Sequence, residues 1–222
     1  MNKKITKFSE MSFVLGMIIL PLGAAMMAKA DLGISMVVAP AYLLSLKFDA
    51  LTFGSAEFIL QTFLLAVMCI ITRKIKFGYI MSFVTAIVYG IILDLWVALL
   101  ALTGDIGMGT RIVFYLLGMV VSSLGVSFFF HTYLPPCAYD YFVRDISAFF
   151  NISITKFKLS YDISSLIVST LMSLVFFSGI RGVGIGTLIC ACINGFIISF
   201  CSKFLEKYID FSERFNLKKY FN

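Results

Sequence analysis

The chain has 222 residues, 60% of them apolar and 14% charged, with a formal net charge of +6 and a mean hydropathy of +0.99. An average soluble domain is roughly 45–50% apolar and about 25% charged. A soluble globular domain, a disordered chain and a disulfide-stapled secreted domain are therefore excluded, and an integral membrane protein with little mass outside the bilayer remains.

A membrane-crossing helix needs about 20 apolar residues. Six runs meet that requirement: residues 11–28, 54–71, 77–102, 112–130, 159–180 and 183–202. The first follows Lys3, Lys4 and Lys7 and ends near Ala28-Lys29-Ala30, which has the shape of a signal-peptidase site. Its length and a second copy later in the chain argue for a retained helix. Between the first two runs, residues 31–53 carry LGISMVVAPAYLLSL, interrupted by Pro40. Between the fourth and fifth, residues 133–157 carry LPPCAYDYFVRDISAFF. Short or broken apolar stretches of this kind are re-entrant or interfacial, and both readings stay open.

Basic residues set orientation. With six spans and a cytoplasmic N-terminus, the inner side holds Lys3, Lys4, Lys7, Arg73, Lys74, Lys76, Arg144, Lys156, Lys158 and the five cations after Ser202, fourteen in all. The outer side holds four: Lys29, Lys47, Arg111 and Arg181. Both termini are accordingly expected in the cytoplasm, with residues 1–10 as a cytoplasmic N-terminus. Residues 203–222 read either as a polar continuation of the last helix or as an amphipathic helix on the inner leaflet, with Phe204, Tyr208, Phe211 and Phe215 on one face. The position of the cations at the ends of apolar runs explains the net charge without nucleic acid. The five cysteines show no CxxC spacing and read as buried small hydrophobes.

The chain also repeats itself. Leu22-Gly23 matches Leu124-Gly125, with Lys29 on His131 and Leu32 on Leu134; further on, Ser55 and Glu57 meet Ser160 and Asp162, Lys76 meets Arg181, and Tyr89-Gly90 meets Asn194-Gly195. Each half reads as helix, broken segment, helix, helix. Three spans per half is an odd number, so the second copy enters the membrane from the opposite side. The predicted fold is an all-α membrane protein of six helices in two inverted three-helix repeats, residues 11–102 and 111–202. Inverted repeats with broken segments at equivalent places are a transporter architecture.

Leu32-Gly33-Ile34-Ser35 resembles the LG-x-S segment of the YczE/YyaS/YitT-like bacterial membrane proteins, and Asp140 falls on the acidic position of the second-half variant of that segment. Gly184-Ile185-Gly186-Thr187 is similar to that family's GIGT before the last helix, Gly195 to the glycine that follows, and Gly90 with Asp94 to its G-x-x-x-D. The first-half Pro, Trp and Asp positions hold Met36, Val37 and Val38 instead, and the second-half LG is Leu134-Pro135. The resemblance covers residues 11–202. It implies a polytopic membrane protein with a possible transport role and no defined substrate.

Ionisable groups inside a membrane are costly and need a partner or a wet cavity. Asp140, between Tyr139 and Tyr141, is the leading candidate for a substrate path, with Arg144 four residues on and in helical reach for an ion pair. Asp31 and Gly33 at the first break, Gly184, Gly186, Thr187 and Asn194 in the last run, and Asp94 complete the candidate set. Asp94 lies about 25 Å along its helix by the standard rise, near an interface, where a structural role competes. Glu57 and Asp162 are expected in the first turns of their helices, as dipole-complementing acids.

No HExxH, GxSxG or nucleotide fingerprint occurs, so no enzyme, catalytic residue, metal or cofactor is expected; His131 has no ligand companions in sequence. The first functional reading is a secondary transporter of a small polar or ionic solute. The second is the substrate-binding membrane subunit of a vitamin-type importer, because Ala24 and Ala28 resemble the A-x-x-x-A surface through which such subunits meet their partners. A third is a non-transporting scaffold. Expected partners are the lipid bilayer, a small molecule or ion, and a second copy or importer subunits.

Overall fold

The computed structural model describes residues 9–135 and 137–212. Lys3, Lys4, Lys7, Pro136, Arg214, Phe215, Lys218 and Lys219, which entered the orientation, break and tail expectations, lie outside the described residues. Eight helices follow one another: α1 (Ser9–Ala30), α2 (Ala39–Lys47), α3 (Phe53–Thr72), α4 (Phe77–Ala101), α5 (Met108–Phe130), α6 (Ala138–Phe149), α7 (Ile154–Phe177) and α8 (Ile185–Tyr208). All but α2 and α6 are long and apolar enough to cross a bilayer. The order long, short, long, long thus occurs twice.

Local chemistry starts and stops these helices. Thr52 caps α3 by accepting a hydrogen bond from Ser55 N, and Ser153 caps α7 by accepting one from Lys156 N. Pro40 does not interrupt its apolar stretch. It sits in the first turn of α2, where its missing N–H costs nothing. The last helix runs on to Tyr208.

At the centre α1 and α5 pack closely. A Cβ on Gly23 would lie 2.4 Å from Ser122 N, and one on Gly125 would lie 2.6 Å from Leu20 Cα. Small residues let two backbones approach this closely, and dispersion and polar contacts then hold them together in lipid. On one flank α4 lies along α1, with Trp96 Nε1 donating to the Ile18 carbonyl at 3.1 Å. Against α4 packs α3, at Gly54 and Gly90, where a Cβ on Gly54 would be 2.0 Å from the Gly90 carbonyl oxygen. On the other flank α8 lies along α5, joined by Ser127 Oγ donating to the Ile198 carbonyl and Ser123 Oγ to Asn194 Oδ1.

The two short helices reach into this frame. Ser165, near the middle of α7, donates to the Met36 carbonyl just before α2 at 2.7 Å. Thr85, well inside α4, donates to the Pro135 carbonyl just before α6 at 3.2 Å. Gln61, also mid-helix, accepts from Ala138 N at the start of α6 at 3.2 Å. Both short helices therefore begin at the mid-height of their long neighbours.

Candidate functional site

Between the starts of α2 and α6 lies a cavity of about 130 Å3, room for several waters or a small solute. Its polar wall is made by Glu57 of α3, Tyr139 and Asp140 of α6, Lys158, Tyr161 and Asp162 of α7, and Ser122 and Asn194 of α5 and α8. Aliphatic side chains of α1 and of the segment before α2, among them Ala24, Met27 and Val38, complete it. Lys158 is exposed, and Asp140, Tyr161 and Asp162 are half-buried, so the cavity opens along the first half of α7.

Glu57 is the deepest of these groups, with no exposed surface. Its position follows from the Thr52 cap, which sets Glu57 one turn inside α3 with Gln61 directly above it on the same face. Tyr139 Oη donates to Glu57 Oε1 at 2.8 Å, and Gln61 Nε2 donates to the same oxygen at 3.2 Å. The other oxygen, Oε2, is buried and has no hydrogen-bond partner. Asp162 Oδ1 is likewise buried without a partner. A buried acceptor left unpaired costs about 1–3 kcal/mol, which makes these two oxygens the least settled polar atoms of the wall.

Of the residues the sequence marks for a substrate path, the structure brings Asp140, Tyr139 and Asn194 to the cavity. The others sit elsewhere. Gly33, with φ +122°, faces Thr187, and a Cβ there would lie 2.6 Å from Thr187 N. Thr187 Oγ1 accepts from Ile34 N at 3.1 Å, Gly186 N donates to the Leu32 carbonyl at 3.0 Å, and Tyr115 Oη donates to the Gly186 carbonyl. Gly33, Gly184, Gly186 and Thr187 thus lock the segment after α1 onto the start of α8. Asp31 is exposed and faces Arg111 at 3.9 Å. Asp94 closes the start of α3, accepting from Thr52 Oγ1 at 2.6 Å and Gly54 N at 2.7 Å.

Two expectations change. Arg144 does not pair with Asp140; its Nε donates to the adjacent Asp145 at 2.9 Å, and Lys76 Nζ meets the same carboxylate at 2.9 Å. Burial opposes charge on Asp145, but hydrogen bonds from Tyr79, Lys76 and Arg144 outweigh it and hold the carboxyl below the usual range. Glu57 and Asp162 are not first-turn acids. Both lie further along their helices and face the cavity, because α3 and α7 begin at Phe53 and Ile154.

Six long apolar helices enclosing a half-open polar cavity define a polytopic membrane protein in contact with lipid. Residues 8–203 match a family of unknown function (DUF6198), and the chain belongs to that family. It is similar to the "Uncharacterized protein YyaS" of Bacillus subtilis (strain 168), 28% identical over 204 residues that cover 89% of this chain and 94% of that one. This agrees with the resemblance carried by the LG-x-S and GIGT motifs. No solved structure matches the chain.

Proposed function

We propose that this chain is a secondary transporter of a small polar or ionic solute, built as two inverted three-helix repeats in the bacterial inner membrane with both termini in the cytoplasm. The observation that carries the reading is the meeting of the starts of the two short helices at one cavity that holds unpaired polar atoms. Backbone that leaves a helix at membrane depth is tolerated only where protein buries it or a wet cavity meets it. The hydrogen bonds from Ser165 to Met36 and from Thr85 to Pro135, both at mid-helix, support breaks at such a depth. On this reading each short helix turns back to its own side, and both segments are re-entrant. Alternating access works about the two broken segments, with α7, which leans on both short helices, closing over the cavity and opening it again while α1, α3, α4, α5 and α8 stay tied together as a frame.

The importer-subunit reading draws no support from the A-x-x-x-A pair, because Ala24 is buried at the cavity wall, 5% exposed. The test is the thermal stability of the purified protein against a panel of metabolites and ions, followed by uptake of any hit into proteoliposomes. A ligand that binds the native state raises its melting temperature by mass action. The proposal predicts a hit that is weakened in Asp140→Asn and is taken up by the vesicles. Silence across the panel, or binding without uptake, contradicts it.

A further inference from the structure

We infer that the cavity takes a small organic cation, an ammonium bearing alkyl groups. The inference deepens the transporter reading and rests on it for one point, that the cavity is a solute site.

The charge balance of the wall is the first argument. Three carboxyl groups, on Glu57, Asp140 and Asp162, face a single ammonium, that of Lys158. Lys158 is exposed at the mouth, and a buried carboxyl carries its charge only when a cation or donors pair it. Among the described residues no cation pairs with Glu57, and its Oε2 has no hydrogen-bond partner. An incoming alkylammonium supplies the positive charge, and one that keeps an N–H supplies the donor as well.

The helix ends supply the second argument. Both α2 and α6 start at the cavity, and a helix start attracts anions through its free N–H groups. Here the leading groups are already used. Ala39 N donates to the Ser35 carbonyl, Ala138 N donates to Gln61 Oε1, and Asp140 sits in the first turn of α6. What the wall leaves unpaired are acceptor oxygens, so a donor or a positive charge completes it.

The third argument separates an organic cation from a metal ion. Hard divalent cations gather six or more oxygens. Among the described residues no three His, Cys, Asp or Glu groups come close enough to hold one ion, so the three carboxyls are spread around the cavity. The rings of Tyr139 and Tyr161 stand 6.4 Å apart at 50° and form an aromatic corner beside Glu57. Aromatic faces next to a carboxylate are the surface on which alkylammonium groups are held. The remaining wall is mostly aliphatic, which suits carbon substituents and not a hydrated ion.

The test uses the purified full chain and three probes of similar shape: tetramethylammonium, its neutral analogue neopentanol, and the anion pivalate, at constant ionic strength. We expect tetramethylammonium to raise the melting temperature saturably, with neopentanol and pivalate inert. Glu57→Gln should weaken that binding at least tenfold. Should that variant fail to fold, Asp162→Asn at the half-exposed edge carries the same expectation. Lys158→Gln, which removes the competing cation, should tighten binding several-fold, an outcome that a merely structural role for the lysine does not produce. A shift with pivalate or neopentanol equal to that with tetramethylammonium overturns the cation inference and leaves the transporter reading standing. Weaker tetramethylammonium binding in Lys158→Gln also overturns it. No response to any of the three probes rejects it too, while a hit elsewhere on the metabolite panel would still support transport.

Discussion

The helix pairs α3–α4 and α7–α8 occupy equivalent places in the two halves, yet they pack differently. In the first, Gly54 and Gly90 bring the backbones together, Asp94 of α4 closes the start of α3, and the two helices form one unit. In the second, Gly195 is the repeat's counterpart of Gly90, and a Cβ there would meet nothing within 4 Å. Helix α7 leans on α2 and α6, while α8 leans on α5. Most of the surface of α7 and α8 faces outward. A repeated order of elements therefore does not require repeated contacts. One half supplies a frame, and the other leaves a gap through which the cavity is reached.

That contrast can be broken at its tightest point. Gly54→Ala should cost about 1–3 kcal/mol, as overpacking does, because the new methyl would lie 2.0 Å from the Gly90 carbonyl oxygen and 2.7 Å from the Asp94 carboxylate. The loss reads as a lower melting temperature and poorer yield of folded protein. Next in size is Asp94→Ala, which removes both hydrogen bonds at the start of α3; a lost cap costs about 0.5–2 kcal/mol.

The six spans were legible because long apolar runs have few other uses, and observed ends such as Ser9–Ala30 and Phe53–Thr72 fall within a few residues of the predicted ones. Asp140, Tyr139 and Asn194 were legible as polar groups inside apolar sequence. Glu57 was misplaced because its run reads from Gly54, which puts it in a first turn. A signal was nevertheless present, since Glu57 and Gln61 are four residues apart in an apolar span and so share a face. Asp162 carried a similar signal, with Ser165, Ser169 and Ser173 continuing a polar stripe down α7, and all three serines are buried. The choice of Asp145 over Asp140 by Arg144 was not legible. It depends on Lys76 and Tyr79 converging on the same carboxylate from far away in the sequence.

That convergence is a further tie on the framed side, since it holds α6 to the start of α4. Asp145→Asn should destabilise the protein by about 1 kcal/mol at neutral pH, below the roughly 1.5–3 kcal/mol of a charge-assisted hydrogen bond because Lys76 and Arg144 are half exposed. The folded carboxyl is held low, so its contribution is full above the unfolded value of about 3.9 and fades as pH falls through the folded value. The gap between wild type and variant should thus close on acidification below about pH 4; a gap that widened there would refute the assignment. The smallest loss is expected on the open side. Gly195→Ala should cost nothing and can gain up to about 1 kcal/mol, as Ala for Gly in an open helix interior does. A loss as large as that of Gly54→Ala would mean that α7 and α8 pack as α3 and α4 do.

The most direct measurement places spin labels at Ser160 and Ser199, on α7 and α8, and in a second sample at Ser55 and Leu95, on α3 and α4. Native cysteines are replaced and the protein is held in proteoliposomes. The account predicts one narrow distance for α3–α4 and a broad or two-peaked distribution for α7–α8. Narrow single distances for both pairs would contradict it, because the cavity would then have no moving wall.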